Sequence, residues 1–62
     1  MAITIGERIK ELRYEKGWTR RKLAELSGFT ETSVFSWERG AYKPSERAIR
    51  ALEKALAQKL RK

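Results

Sequence analysis

The sequence contains no cysteine and no histidine, and each of these absences removes a class of chemistry. Without cysteine there are no disulfide bridges and no thiolate metal ligands. Without histidine the chain lacks the usual general base near neutral pH and the commonest metal ligand. The glutamates are spread over several helical segments rather than grouped. We therefore predict no catalytic residues, no metal site, no cofactor and no small-molecule substrate, so the protein is not expected to be an enzyme.

Long apolar runs, strand patterns and linker segments are also missing. No stretch of about 18 or more apolar residues occurs, so we predict no membrane-spanning segment. The N-terminus has no charged segment followed by an apolar one, which favours a cytoplasmic protein. A chain of 62 residues is expected to form one domain, residues 1–62, that depends on helix packing alone.

Basic residues are abundant in the sequence. Lysine and arginine number 15 against eight acidic residues, which gives a formal charge of +7 and a pI of about 10.3. A pI above about 9 indicates that a polyanion is the leading class of partner for a domain. A charged surface that only keeps the protein soluble would give the same composition, so the positions of the charges must decide.

Helical periodicity and capping residues predict an all-α fold with four helices, at about residues 4–16, 19–27, 30–39 and 45–60. Thr4 and Glu7 match a capping box at the first helix. The other helices have hydroxyl residues at their predicted N-caps, namely Thr19, Thr30 and Ser45. The spacing of apolar residues predicts that Leu23, Ala24 and Leu26 face inward from the second helix, and that the last helix buries Ile49, Leu52, Leu56 and Leu60.

The third helix has two different faces. Val34 and Trp37 lie on one side and predict the core. The opposite side carries short hydrogen-bonding groups, one aromatic ring and one guanidinium: Glu31, Thr32, Phe35, Ser36 and Arg39. Because an ordinary solvent face would carry mainly lysine and glutamate, this composition predicts a face that reads the major groove of DNA. The alternative is a rotated helix that buries Phe35.

The second helix begins with three basic residues, Arg20, Arg21 and Lys22. A helix N-terminus carries a partial positive charge and prefers anions, so each cation there is locally unfavourable. A phosphate at this position would make both the helix N-terminus and the cations favourable. The alternative is that the three side chains simply extend into water.

Four segments resemble the phage repressor and Cro-type helix-turn-helix DNA-binding domains. They are IGERIKELR at 5–13, LAELSG at 23–28, VFSWERG at 34–40 and KPS at 43–45. The resemblance covers about residues 5–57 and implies a compact four-helix, lambda-repressor-like domain in which the third helix is the recognition helix. It also implies a partly buried ion pair between Arg13 and Glu38. The regular caps and the lack of cysteine and histidine would also fit an engineered minimal member.

This resemblance implies sequence-specific binding of double-stranded DNA. The predicted base contacts are Glu31, Thr32, Phe35, Ser36 and Arg39, and the predicted phosphate contacts are Arg13, Arg20, Arg21, Tyr42 and Lys43. By their chemistry, Glu31 would accept from cytosine N4 and Phe35 would pack against a thymine methyl. Glu31 could equally act only on the helix dipole, and Arg39 could meet either guanine or phosphate.

The sequence departs from the family pattern at several points. Arg20 stands where the family usually has glutamine, and Phe35 stands where it often has serine. The fifth helix that often carries dimer contacts is not predicted, so we expect a monomer or a weak dimer on DNA. A protein-interaction module that uses the outer face of the third helix is the alternative function. A membrane-surface peptide is less favoured, because the apolar stripe of the last helix is needed for the core.

Overall fold

The computed structural model describes residues 4–60, and within that range the regular secondary structure is all α-helix with no strand. The four helices are α1 (Ile5–Glu15), α2 (Arg20–Ser27), α3 (Glu31–Glu38) and α4 (Glu46–Leu56). This architecture confirms the predicted all-α, four-helix fold. The predicted ranges of the first three helices include flanking cap residues, so five of their six ends differ from the observed ones by one residue.

Each helix begins after the hydroxyl residue that the sequence predicted as its N-cap. Each cap's side-chain oxygen accepts from the backbone N–H three residues later, and the four caps are Thr4, Thr19, Thr30 and Ser45. At α1 the capping box is complete. The Thr4 backbone N–H donates to Glu7 Oε1 at 3.0 Å, and the Glu7 N–H donates to Thr4 Oγ1 at 3.1 Å. The hydrogen bonds from the Thr4 backbone and then from its hydroxyl lower the pKa of Glu7. At pH values above the unfolded-state pKa of glutamate, the ionised Glu7 therefore stabilises the folded state. This contribution to the free energy of unfolding is lost as the pH falls through the lower pKa that Glu7 has in the folded state.

The predicted extent of the last helix was wrong. We expected it to reach residue 60, but α4 ends at Leu56 because Ala57 adopts a left-handed conformation with φ of 57°. The chain then turns back, and the Leu60 N–H donates to Glu53 Oε2 at 2.9 Å. Leu60 is nevertheless buried. The four-residue spacing between Leu56 and Leu60 thus reflects burial of both side chains rather than a continuous helix.

The core lies between all four helices. Its buried apolar residues are Ile9, Leu12, Leu23, Ala24, Val34, Trp37, Ala48, Ile49, Leu52, Leu56 and Leu60. Phe29 packs its ring against Trp37 edge to face, with 5.1 Å between ring centroids. The inward position predicted for Leu26 was wrong, since 48% of this residue is exposed. Leu26 lies about 200° around the helix from Ala24, so it cannot share the narrow buried side of α2.

Gly6 sets the closest approach between α1 and α3. A Cβ atom built on Gly6 would lie 2.0 Å from the backbone oxygen of Trp37. Only a hydrogen atom fits at this point, so the two helix backbones meet directly. The contact places the start of α1 directly against the backbone of α3 at Trp37.

Candidate nucleic-acid interface

The rotation of α3 agrees with the spacing of its apolar residues. Val34 and Trp37 are buried in the core, whereas 42% of Phe35 is exposed. The remaining residues of the predicted outer face are exposed at Glu31, Thr32 and Arg39 and half-buried at Ser36. The alternative in which a rotated helix buries Phe35 is therefore wrong. The structure brings the five predicted base-contacting residues together on one helical face.

Two guanidinium groups lie close to the ring of Phe35 on this face. The Cζ atom of Arg20 is 4.8 Å from the ring centroid of Phe35, and that of Arg39 is 5.4 Å from it. Both distances are within the roughly 6 Å over which a cation is attracted to an aromatic ring. The four-residue spacing of Phe35 and Arg39 gives a sequence signal for one contact. The contact with Arg20 depends on how α2 meets α3, and sequence reasoning missed it.

Behind this cluster, Glu38 accepts from two arginines. Arg13 forms a two-pronged ion pair, with Nε at 2.7 Å from Oε2 and Nη2 at 3.0 Å from Oε1 of Glu38. Arg20 Nε donates to the same Oε1 at 3.2 Å. Arg13 and Glu38 are both buried, which confirms the ion pair implied by the family resemblance. The hydrogen bond to Glu38 raises the pKa of Arg13, so this guanidinium stays charged.

The structure corrects the phosphate contact predicted for Arg13. Its Nη1 donates to the carbonyl oxygen of Trp18 at 2.8 Å, while Nε and Nη2 are bound to Glu38. Its side chain is only 6% exposed. Arg13 is therefore a structural residue that joins α1 to α3 and to the turn before α2, and it does not face an external phosphate.

The charge of Arg20 is also partly satisfied within the protein. Its side chain is 36% exposed, and Glu38 accepts from its Nε. The cost predicted for three cations at the start of α2 is therefore smaller than the sequence suggested. Arg21 and Lys22 are exposed, and Arg21 lies 4.0 Å from Glu25, a distance at which a surface ion pair contributes little.

The loop after α3 is held beside the same face. The N–H groups of Ala41 and Tyr42 donate to the carbonyl oxygen of Ser36, at 3.0 and 3.5 Å. Pro44 is buried, whereas Tyr42 is 72% exposed and Lys43 is also exposed. The two predicted phosphate-contacting side chains of the loop therefore extend from a segment that is anchored at both ends.

Replacing Glu38 by glutamine is expected to destabilise the fold by about 2–3 kcal/mol, because Arg13 would remain buried without a counter-charge. Urea unfolding followed by circular dichroism measures this cost. The matched control is Glu11→Gln, which removes a carboxylate 2.8 Å from Arg8 at the surface. We expect that control to cost less than about 0.5 kcal/mol. Equal costs for the two variants would contradict a structural role for the buried pair.

The part of the chain that the structure describes has neither a metal site nor a membrane-spanning helix. Among residues 4–60, no group of histidine, cysteine, aspartate or glutamate is arranged to hold a metal ion. No helix in this range has the length and apolarity needed to cross a membrane.

The chain is similar to known transcription regulators. It is 41% identical over 54 residues to DicA, an HTH-type transcriptional regulator of Escherichia coli K12, and the match covers 87% of this chain. That match covers 40% of DicA, so the chain spans about two-fifths of this relative's length.

Solved structures of other regulators are also similar to this chain. The P22 c2 repressor, solved in complex with a synthetic operator, is 27% identical with a TM-score of 0.89, and the match covers 95% of this chain and 89% of that one. SinR, a master regulator for biofilm formation solved in complex with DNA, is 33% identical with a TM-score of 0.85 and 92% of both chains covered. Residues 9–62 match the helix-turn-helix family. The chain belongs to the helix-turn-helix family.

Proposed function

We propose that the protein binds double-stranded DNA sequence-specifically, with α3 in the major groove, and that it acts as a transcription regulator in the cytoplasm. The observation that carries this proposal is the exposed α3 face, which has Arg20 from the start of α2 next to Phe35 and loop 41–44 hydrogen-bonded to Ser36. The relatives solved with operator or other DNA support it. We propose a binding role, rather than a catalytic one, for residues 1–62 as one unit.

In this proposal the exposed side chains of α3 select bases. Glu31 accepts from cytosine N4, Thr32 offers a hydroxyl or a methyl group, and Ser36 donates or accepts. Arg39 lies at the C-cap of α3 and is exposed, so its planar guanidinium is available for guanine O6 and N7. These contacts supply selectivity, whereas phosphate contacts position the helix.

Phosphates would be held on both sides of α3. The first N–H groups of a helix have no acceptor within the helix, so the start of α2 suits a phosphate oxygen. Arg20 and Arg21 add charge there, and the exposed Lys43 adds charge in the loop after α3. Tyr42 contributes a hydroxyl donor without charge. Arg13 is left out because it is buried.

The alternative, a protein-interaction module that uses the α3 face, is less favoured. A docking face for a protein groove would be mainly apolar, whereas Phe35 is here flanked by two arginines. The net charge of +7 also favours a polyanionic partner. Whether the domain binds as a monomer or as a weak dimer stays a prediction, and sedimentation with and without DNA tests it.

Selection from randomised duplexes at ~0.15 M salt is the direct test of sequence-specific binding. We expect one enriched sequence, and its affinity should fall with salt with a log–log slope of about −3, from about −0.9 for each of Arg20, Arg21 and Lys43. A duplex pool without enrichment would contradict base readout, and a slope near zero would favour the protein-interaction alternative.

The Arg21→Gln, Lys43→Gln double variant should reduce the steepness of that salt slope by about 2. A matched control for the arginine is Arg50→Gln on α4. Arg50 is as exposed as Arg21 and also lies near a glutamate four residues away, at 3.8 Å from Glu46. We expect Arg50→Gln to leave the slope unchanged although it also removes a positive charge. If Arg50→Gln lowered the slope by as much as a single change on the proposed face, the charge effect would be general and the phosphate assignments would be wrong.

A further inference from the structure

Phe35 is held in an unusual environment for a residue at the centre of a polar face. Its ring is flanked by Arg20 and Arg39, yet 42% of the residue remains exposed with both arginines in place. Arg20 is itself held by the buried carboxylate of Glu38. Arg39 follows directly after α3, and its backbone N–H donates to the carbonyl oxygen of Phe35 at 3.1 Å. Of the two neighbouring guanidinium groups, that of Arg20 is therefore held beside the ring by the ion pair with Glu38.

An aromatic ring in the major groove selects bases mainly because it offers no hydrogen bond to them. It cannot hydrogen-bond with an amino or carbonyl group, so a polar base edge pressed against it would lose its water without replacement. The apolar feature that a base offers in this groove is the methyl group at C5 of thymine. Cytosine presents a hydrogen atom at the same C5 position, and methylation of cytosine places the same apolar group there.

We infer that Phe35 reads the 5-methyl group of a pyrimidine in the major groove, so that binding depends on cytosine methylation as well as on thymine. The inference rests on the proposed DNA-binding function and names the group that its central side chain recognises. Arg20 and Arg39 act as positioning residues for the ring. Their outer N–H groups remain suited to phosphate or guanine beside the methylated base.

Base analogues test this inference without changing the protein. In the selected duplex, each thymine is replaced in turn by uracil, which removes only the methyl group, and affinity is measured at one salt concentration. We expect one position at which uracil weakens binding about fourfold, the factor that burial of one methyl-sized group supplies. Cytosine at that position should bind about fourfold more tightly when it carries the 5-methyl group.

Phe35→Ala should abolish both differences, so that its affinity ratios for thymine over uracil and for 5-methylcytosine over cytosine are close to one. The matched control is Tyr14→Ala on α1. Tyr14 is another exposed ring with cations nearby, since Lys10 Nζ lies 5.9 Å and Arg13 Cζ lies 4.6 Å from its centroid. We expect this control to keep the full methyl dependence.

Two results would overturn the inference while leaving the proposed function intact. The first is a selected duplex that binds tightly but shows no uracil-sensitive position. The second is a methyl dependence that persists unchanged in Phe35→Ala, since another residue would then read the group. Failure to select any duplex would instead overturn the proposed function, and the inference with it.

Discussion

Gly6→Ala is expected to destabilise the domain by more than about 3 kcal/mol, beyond the usual range for an added methyl group. The new Cβ would lie 2.0 Å from the carbonyl oxygen of Trp37, which is backbone and cannot rotate away. Relief requires α1 and α3 to separate, and their separation would open the core beneath them. Since so small a domain is only marginally stable, we expect a largely unfolded protein at 25 °C. Far-UV circular dichroism and urea unfolding measure the effect.

The control for Gly6→Ala is Gly28→Ala. Gly28 has a φ of 82°, and a Cβ there would meet no atom within 4 Å. That substitution costs only the left-handed backbone strain of a non-glycine residue, about 1–2 kcal/mol. If Gly6→Ala proved no more destabilising than Gly28→Ala, the close approach of α1 and α3 would not be a determinant of the fold.

The second large effect is expected for Trp37→Ala, which should cost about 3–5 kcal/mol as a core truncation. Trp37 is only 8% exposed, and its ring packs edge to face against that of Phe29. Loss of the indole leaves a cavity that the short α3 cannot close. Thermal melting and the dispersion of amide resonances report whether a folded population remains.

Tyr42→Ala is the control for aromatic truncation, because Tyr42 is 72% exposed. It should leave the melting temperature almost unchanged while weakening DNA binding. A Trp37→Ala variant that melts like the wild type would mean that the indole contributes little to the core, contrary to its burial.

Local sequence signals predicted much of this fold for clear physical reasons. Hydroxyl caps act within three residues, so Thr4, Thr19, Thr30 and Ser45 could be assigned from sequence alone. The rotation of α3 follows from the spacing of Val34 and Trp37. The end of α4 could not be predicted in this way, because Ala57 takes a left-handed conformation that alanine rarely adopts.

Contacts between helices were harder to predict. Gly6 gives no apolar or charge signal, and its role appears only when the backbone of α3 is placed against it. The same holds for the candidate interface. The sequence grouped the five residues of the α3 face, but the position of Arg20 over Phe35 depends on how the helices meet. The ion pair of Arg13 was implied only by the family resemblance, and its additional hydrogen bond to the Trp18 carbonyl oxygen was not predicted. A long side chain that ends in a charge is expected to lie at the surface, and only the position of its ionic partner shows that it is buried.

The carboxylate of Glu38 has a consequence for how new binding preferences could arise. It accepts from Arg13 in the interior and from Arg20 at the α3 face, so a change at Glu38 is expected to alter both folding and the proposed DNA-binding face. Glu31 and Thr32 are exposed and lie outside this network. A library intended to redirect the domain to other DNA targets should therefore vary Glu31 and Thr32 freely, and should change Arg20 only together with compensating residues around Glu38.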